Sequence, residues 1–90
     1  MSGKSDSNAA IESLINDYIS RELVTDPSVL PLRNDSALLE PHIIDSLSLL
    51  KLVLFLEKEF GITVEQEELI PKNFSTVEII SSYIQKKKTS

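Results

Sequence analysis

Apolar positions in this 90-residue chain recur at helical spacing in three segments, and no segment alternates apolar and polar residues as a half-buried strand does. The first segment sets Ile11, Leu14, Ile15, Tyr18, Ile19 and Leu23 on one stripe of a helix. Ser7 or Asn8 can supply the oxygen that caps its start. Pro27 and Pro31 lie just beyond it and forbid its continuation. The second segment, Ser46 to Phe60, is the most apolar, and Gly61 behind it suits a left-handed helix end. The last runs from Thr76 to about Lys86 with Val77, Ile80, Tyr83 and Ile84 inward, and Ser75 with Glu78 reads as a capping box. Lys86, Lys87 and Lys88 sit where a helix C-terminus favours positive charge. Between these helices a short helical piece is expected around Gln66 to Ile70, stopped by Pro71.

The stretch from Val24 to Asp45 is long for a connection in a compact bundle. It carries Val29, Leu30, Leu32, Leu38 and Leu39, so it is expected to drape over one end of the helices and fill gaps in the core. The pattern predicts an all-α protein: a four-helix bundle of three main helices plus a short third helix, with a long loop between helices 1 and 2. Residues 1–8 read as a flexible N-terminal tail, 9–86 as the domain, and 87–90 as a C-terminal tail. A chain this short buries about 60–65% of its unfolded surface, which allows one modest core and leaves little room for a deep catalytic cleft.

The second helix has more apolar faces than such a core can use. At 100° per residue from Leu47, the side chains of Leu49, Leu52, Val53, Leu56 and Phe60 fall between about 140° and 240°, one contiguous inward face. Leu50 and Leu54 fall within about 60° of Leu47 on the opposite side, flanked by Lys51 and Lys58. Those three leucines are expected either to form an exposed docking surface or to lie under the long connection.

Composition narrows the function. The net charge is −5, from 14 acids against nine bases, and the single basic run closes the last helix, so nucleic acid is not expected as a partner. There is no cysteine, hence no disulfide framework, thiolate metal site or cysteine nucleophile. No long apolar run or secretory signal is present, so no membrane span is expected and a cytoplasmic location is.

Ser46 stands where the polar connection meets the apolar helix, with Asp45 before it. Either residue can cap the helix by accepting a backbone N–H. The same place suits a phosphate esterified to Ser46, because a helix N-terminus presents unpaired N–H groups and a positive dipole end. His42, Asp45 and Ser46 are too close in sequence, and lack the nucleophile elbow, for a hydrolytic triad. Glu65, Glu67 and Glu68 read as a solvated acidic face, without calcium-loop spacing.

The stretch Leu38 to Phe60, LLEPHIIDSLSLLKLVLFLEKEF, resembles the modification site of the acyl carrier protein family, which includes free-standing carriers and peptidyl carrier domains. The similarity continues through Gly61–Val64, Glu67–Phe74 and Ser75–Ile80, and covers most of the chain, from about Ile11 to Ile84. It implies 4′-phosphopantetheine, drawn from coenzyme A by a phosphopantetheinyl transferase and joined to Ser46 through a phosphodiester. The thiol of that arm would hold an acyl or aminoacyl cargo as a thioester. It also implies that Asp45 helps the transferase engage the site, that Leu47 contacts partner enzymes, and that the protein is a monomeric, non-catalytic carrier. Its other partners would be an adenylating or acyl-loading enzyme and a downstream synthase or transferase.

Two departures matter. Ile43 and Ile44 stand where the family often has a glycine, and Ser48 and Lys51 stand where fatty-acid carriers show acids on the outer face of the second helix. Partner choice by charge should differ accordingly, with Leu47, Leu50, Lys51 and Leu54 as the partner surface. Specialised polyketide, nonribosomal peptide or D-alanyl-type biosynthesis is therefore expected ahead of fatty-acid synthesis. The remaining acids, Glu57, Glu59, Glu65, Glu67 and Glu68, are expected to guide docking near the end of the second helix. The competing reading is an unmodified helical interaction module with the same fold.

Overall fold

The structure is a computed structural model that describes residues 8–24, 26–39 and 44–89. Four α-helices account for most of it: α1 Asn8–Tyr18, α2 Ser46–Phe60, α3 Pro71–Phe74 and α4 Val77–Thr89. No strand occurs among the described residues. The Ser7 cap expected for α1 lies outside them, as do His42 and Ile43.

Helix α1 continues as one π-helical turn, Ile19–Leu23, closed by the Val24 N–H on the Ile19 carbonyl at 2.9 Å. Its buried residues are Ile11, Ile15, Ile19 and Leu23, every fourth position. Such a row drifts around a regular α-helix, which closes a turn in about 3.6 residues. The wider π turn takes up the drift and keeps Ile19 and Leu23 on the core side. The expected stripe is thus narrower than the sequence suggests: Leu14 is 42% exposed and Tyr18 only half-buried.

Helix α2 has the bounds the pattern predicts. Gly61 ends it at φ +65°, and its N–H bonds the Glu57 carbonyl at 3.0 Å. Nothing crowds the position, so the backbone angle alone calls for glycine there. The Glu57 carboxylate then accepts the Val64 N–H at 2.9 Å, tying the following turn back onto the helix.

The short helical region differs from expectation. Only Gln66–Glu68 forms a 3-10 turn, and Pro71 starts α3 instead of stopping a helix. Proline suits a first helical position, where its missing N–H leaves no bond unmade. Helix α4 begins one residue later than expected, and its cap is Thr76, whose hydroxyl accepts the Ile79 N–H at 3.1 Å. Ser75 belongs to the end of α3. At the other end α4 runs to Thr89, past the expected stop near Lys86, because Lys87 is held against the body of the protein.

That hold centres on Glu68, which the sequence reading placed on a solvated face. Its carboxylate accepts the Glu65 N–H at 2.9 Å, the Tyr83 hydroxyl at 2.9 Å and the Lys87 ammonium at 3.0 Å. These donors keep the Glu68 carboxyl below its ordinary range, the Glu65 N–H most strongly. Burial, followed by the hydrogen bond to Glu68, pushes the Tyr83 hydroxyl above the usual tyrosine value. Asn73 of α3 adds a bond to the Glu68 carbonyl at 2.8 Å, so the segment before α3 is fastened to both α3 and α4.

The stretch Val24–Asp45 holds a 3-10 turn, Pro27–Val29, among its described residues. Leu32, Leu38 and Ile44 enter the core, whereas Leu30 is 39% exposed. Asn16 on α1 secures this stretch by donating to the Leu32 carbonyl at 2.8 Å and to Asn34 Oδ1 at 2.9 Å. The Asn34 carbonyl accepts the Glu78 N–H at 3.0 Å, and the Ser75 carbonyl accepts the Leu38 N–H at 2.8 Å. The two bonds tie the stretch to the start of α4 and the end of α3.

One apolar cluster joins the four helices and the stretch before α2: the α1 row, Leu32, Leu38 and Ile44, the α2 residues Leu52, Val53 and Leu56, Phe74 of α3, and Val77, Ile80, Tyr83 and Ile84 of α4. Helix α4 packs on both α1 and α3. Tyr18 and Phe55 stack between α1 and α2 with ring centroids 4.0 Å apart. The Cα radius of gyration is 12.5 Å, close to the ~12 Å expected for a folded chain of this length. Phe74 is fully buried. Its replacement by alanine is expected to cost about 3–5 kcal/mol of unfolding free energy, measurable by urea denaturation.

Candidate functional site

Asp45 and Ser46 could each cap α2, and the structure divides the roles. Asp45 takes extended backbone angles, φ −98° and ψ −173°, and its Oδ1 accepts the Ser48 N–H at 2.8 Å. The Asp45 carbonyl accepts the Leu49 N–H at 2.8 Å, the first bond of the helix. Asp45 is therefore the cap and Ser46 the first residue of the helix proper. The bond from the Ser48 N–H, with a further one from the Ser48 hydroxyl, holds the Asp45 carboxyl below its ordinary range.

The consequence for Ser46 is direct. Its hydroxyl is not used to close the helix, has no hydrogen-bond partner among the described residues, and lies in an exposed residue. Ser48, two positions on, is half-buried and engaged by Asp45. Of the two serines in the first turn, only Ser46 offers an unoccupied oxygen. It does so where the helix dipole and the first-turn N–H groups favour an added anion. An oxygen placed this way can act as the acceptor in a group transfer when a partner supplies the base. Among the described residues nothing beside it can withdraw its proton: Asp45 is committed to the cap, and His42 lies outside them.

The outer face of α2 begins at the same point. Leu47 is 64%, Leu50 51% and Leu54 59% exposed, so the described part of the connection does not bury them. Lys51 and Lys58 are exposed beside them. Of the partner-binding residues expected from the sequence, Leu47, Leu50, Lys51 and Leu54 thus lie on one accessible face leading away from Ser46, whereas Asp45 sits at the cap before it. Lys58 extends that face by one turn. On the expected inward face Leu52, Val53 and Leu56 are buried and Leu49 and Phe60 partly so, and Phe55, outside that face, is partly buried against Tyr18. Two of the acids expected to guide docking are used internally, Glu57 on the Val64 N–H and Glu68 on Tyr83 and Lys87.

Neither a model of a known protein family nor a curated protein matches this chain. Function therefore rests on the site. No helix among the described residues is long and apolar enough to cross a membrane.

The cap has a clear pH signature. Because the folded-state Asp45 carboxyl is depressed from its ordinary 3.8, its stabilisation is complete at neutral pH and is lost as pH falls below that value through the folded-state titration. Asp45→Ala is expected to lower the melting temperature at pH 7, with the gap to the native chain closing on acidification below that range, as followed by circular dichroism.

Proposed function

We propose that this chain is a carrier protein of the acyl carrier type, holding an acyl or aminoacyl cargo as a thioester on 4′-phosphopantetheine joined to Ser46. The observation that carries this reading is Ser46, exposed in the first turn of α2, its hydroxyl released from capping by Asp45 and unpaired among the described residues. The resemblance of Leu38–Phe60 to the family's modification site supports it, as does an all-helical chain with the long stretch before α2. On this reading the four helices form the family's bundle, and Val24–Asp45 is its long connection.

A phosphopantetheinyl transferase would supply the base. Ser46 Oγ attacks the pyrophosphate of coenzyme A, a new P–O bond forms, adenosine bisphosphate leaves, and the serine proton passes to the transferase. The thiol at the end of the arm then carries the cargo, which a cysteine-free chain could not hold otherwise. The protein itself performs no chemistry on that cargo. An adenylating or acyl-loading enzyme charges the arm, and a downstream synthase or transferase discharges it. The leucine and lysine face of α2 favours specialised polyketide, nonribosomal peptide or D-alanyl-type biosynthesis over fatty-acid synthesis.

The exposed row of Leu47, Leu50 and Leu54 also supports a second reading, an unmodified interaction module whose whole functional surface is that row. Intact-mass measurement separates the two. Incubation with a broad-specificity transferase and coenzyme A is expected to add one phosphopantetheine to the native chain and none to Ser46→Ala. A native chain left unmodified by several competent transferases would discard the carrier reading and leave the module.

A further inference from the structure

The α2 face beside Ser46 has an unusual charge for this protein. The chain is acidic overall, at −5, yet the exposed charges of α2 alongside the row Leu47, Leu50, Leu54 are Lys51 and Lys58. At 100° per residue from Leu47, Lys58 and Lys51 fall at about 20° and 40°, on the row itself. The nearest acid on the helix, Glu57, falls about 20° from Leu50 but is engaged within the fold, and Glu59 lies on another side. Glu57 is turned to the Val64 N–H at 2.9 Å, and Glu59 borders the α1 side with Asp17, Tyr18 and Phe55.

We infer that this face docks a protein partner presenting an apolar strip edged by carboxylates. The leucines supply the apolar contact, and each lysine meets an acid at the rim, which sets partner choice and orientation more than affinity. This inference rests on the carrier reading for its purpose, since it names the kind of partner that would reach Ser46. Its geometry does not depend on any modification.

Two other occupants fit less well. A second copy meeting this face through a two-fold axis would set lysines against lysines. An anionic membrane could attract leucines flanked by lysines, but two cations on a chain of charge −5 give weak surface attraction. The occupant that complements both the apolar row and its charge is an acidic one.

The test uses the full-length, unmodified chain, so failure here is a separate result from failure of transfer to Ser46. Two synthetic amphipathic helical peptides share one leucine strip, edged by glutamates in one and by lysines in the other. Binding is followed by backbone amide shifts. The glutamate-edged peptide is expected to bind more tightly, with shifts concentrated on α2. Lys51→Glu with Lys58→Glu should weaken it about tenfold, the size expected for two exposed ion pairs. Leu54→Glu should abolish binding. Both variants change exposed residues, and unchanged thermal melts would confirm that they fold. Equal or tighter binding of the lysine-edged peptide, binding of neither, self-association through the face, or adsorption to vesicles containing phosphatidylglycerol would each overturn the inference.

Discussion

Burial of Leu52, Val53 and Leu56 sets the rotation of α2 about its own axis. A helix in a chain of this size contacts the core along one stripe only, because too few elements surround it to cover two. Once those three side chains are inward, the helical period leaves Leu47, Leu50 and Leu54 outward, and it carries Lys51 and Lys58 with them. The apolar ridge is therefore a geometric consequence of which side was buried. Its persistence against the cost of exposed apolar surface is what makes it informative.

Polar side chains do the complementary work at chain segments that lack regular structure. Asp45 satisfies a first-turn N–H of α2, Glu57 an N–H after Gly61, and Glu68 an N–H before α3. Asn16 and Asn34 fasten the stretch before α2 to α1 and α4. Each group occupies a place where the backbone would otherwise leave a donor unmade. Several acids in this acidic chain are thereby drawn into the fold, and the outer face of α2 is left with positive charge.

The chemistry available at Ser46 follows from this division of labour. A serine that caps a helix is occupied; a serine just inside a helix capped by its neighbour is free. Asp45 thus shapes the site without touching any reacting atom. The leucine and lysine face begins one residue later, so any partner that reads it is brought to the same hydroxyl. Carrier function, as proposed, needs little more than this: an accessible oxygen, a stable helix start and a surface that selects visitors.

The three longer helices were legible in the sequence. The bounds of α2, its inward and outward faces and the glycine that ends it follow from a period and a backbone angle, both local properties of the chain. Ser46 and Asp45 were likewise visible as a pair, but not which of them caps. That choice depends on which side chain reaches the Ser48 N–H once the backbone is placed. Pro71 was misread because a proline ends one helix and opens another by the same missing N–H, and only the surrounding path of the chain distinguishes them. Glu68, read as solvated, became the anchor of α4 because Tyr83 and Lys87 arrive from a distant segment. Leu14 fits the sequence stripe but stays exposed, since the π turn steers the buried row along every fourth residue. Local periodicity determined the elements; the meeting of segments far apart in sequence decided which polar groups pair, because hydrogen-bond partners are set by position in space.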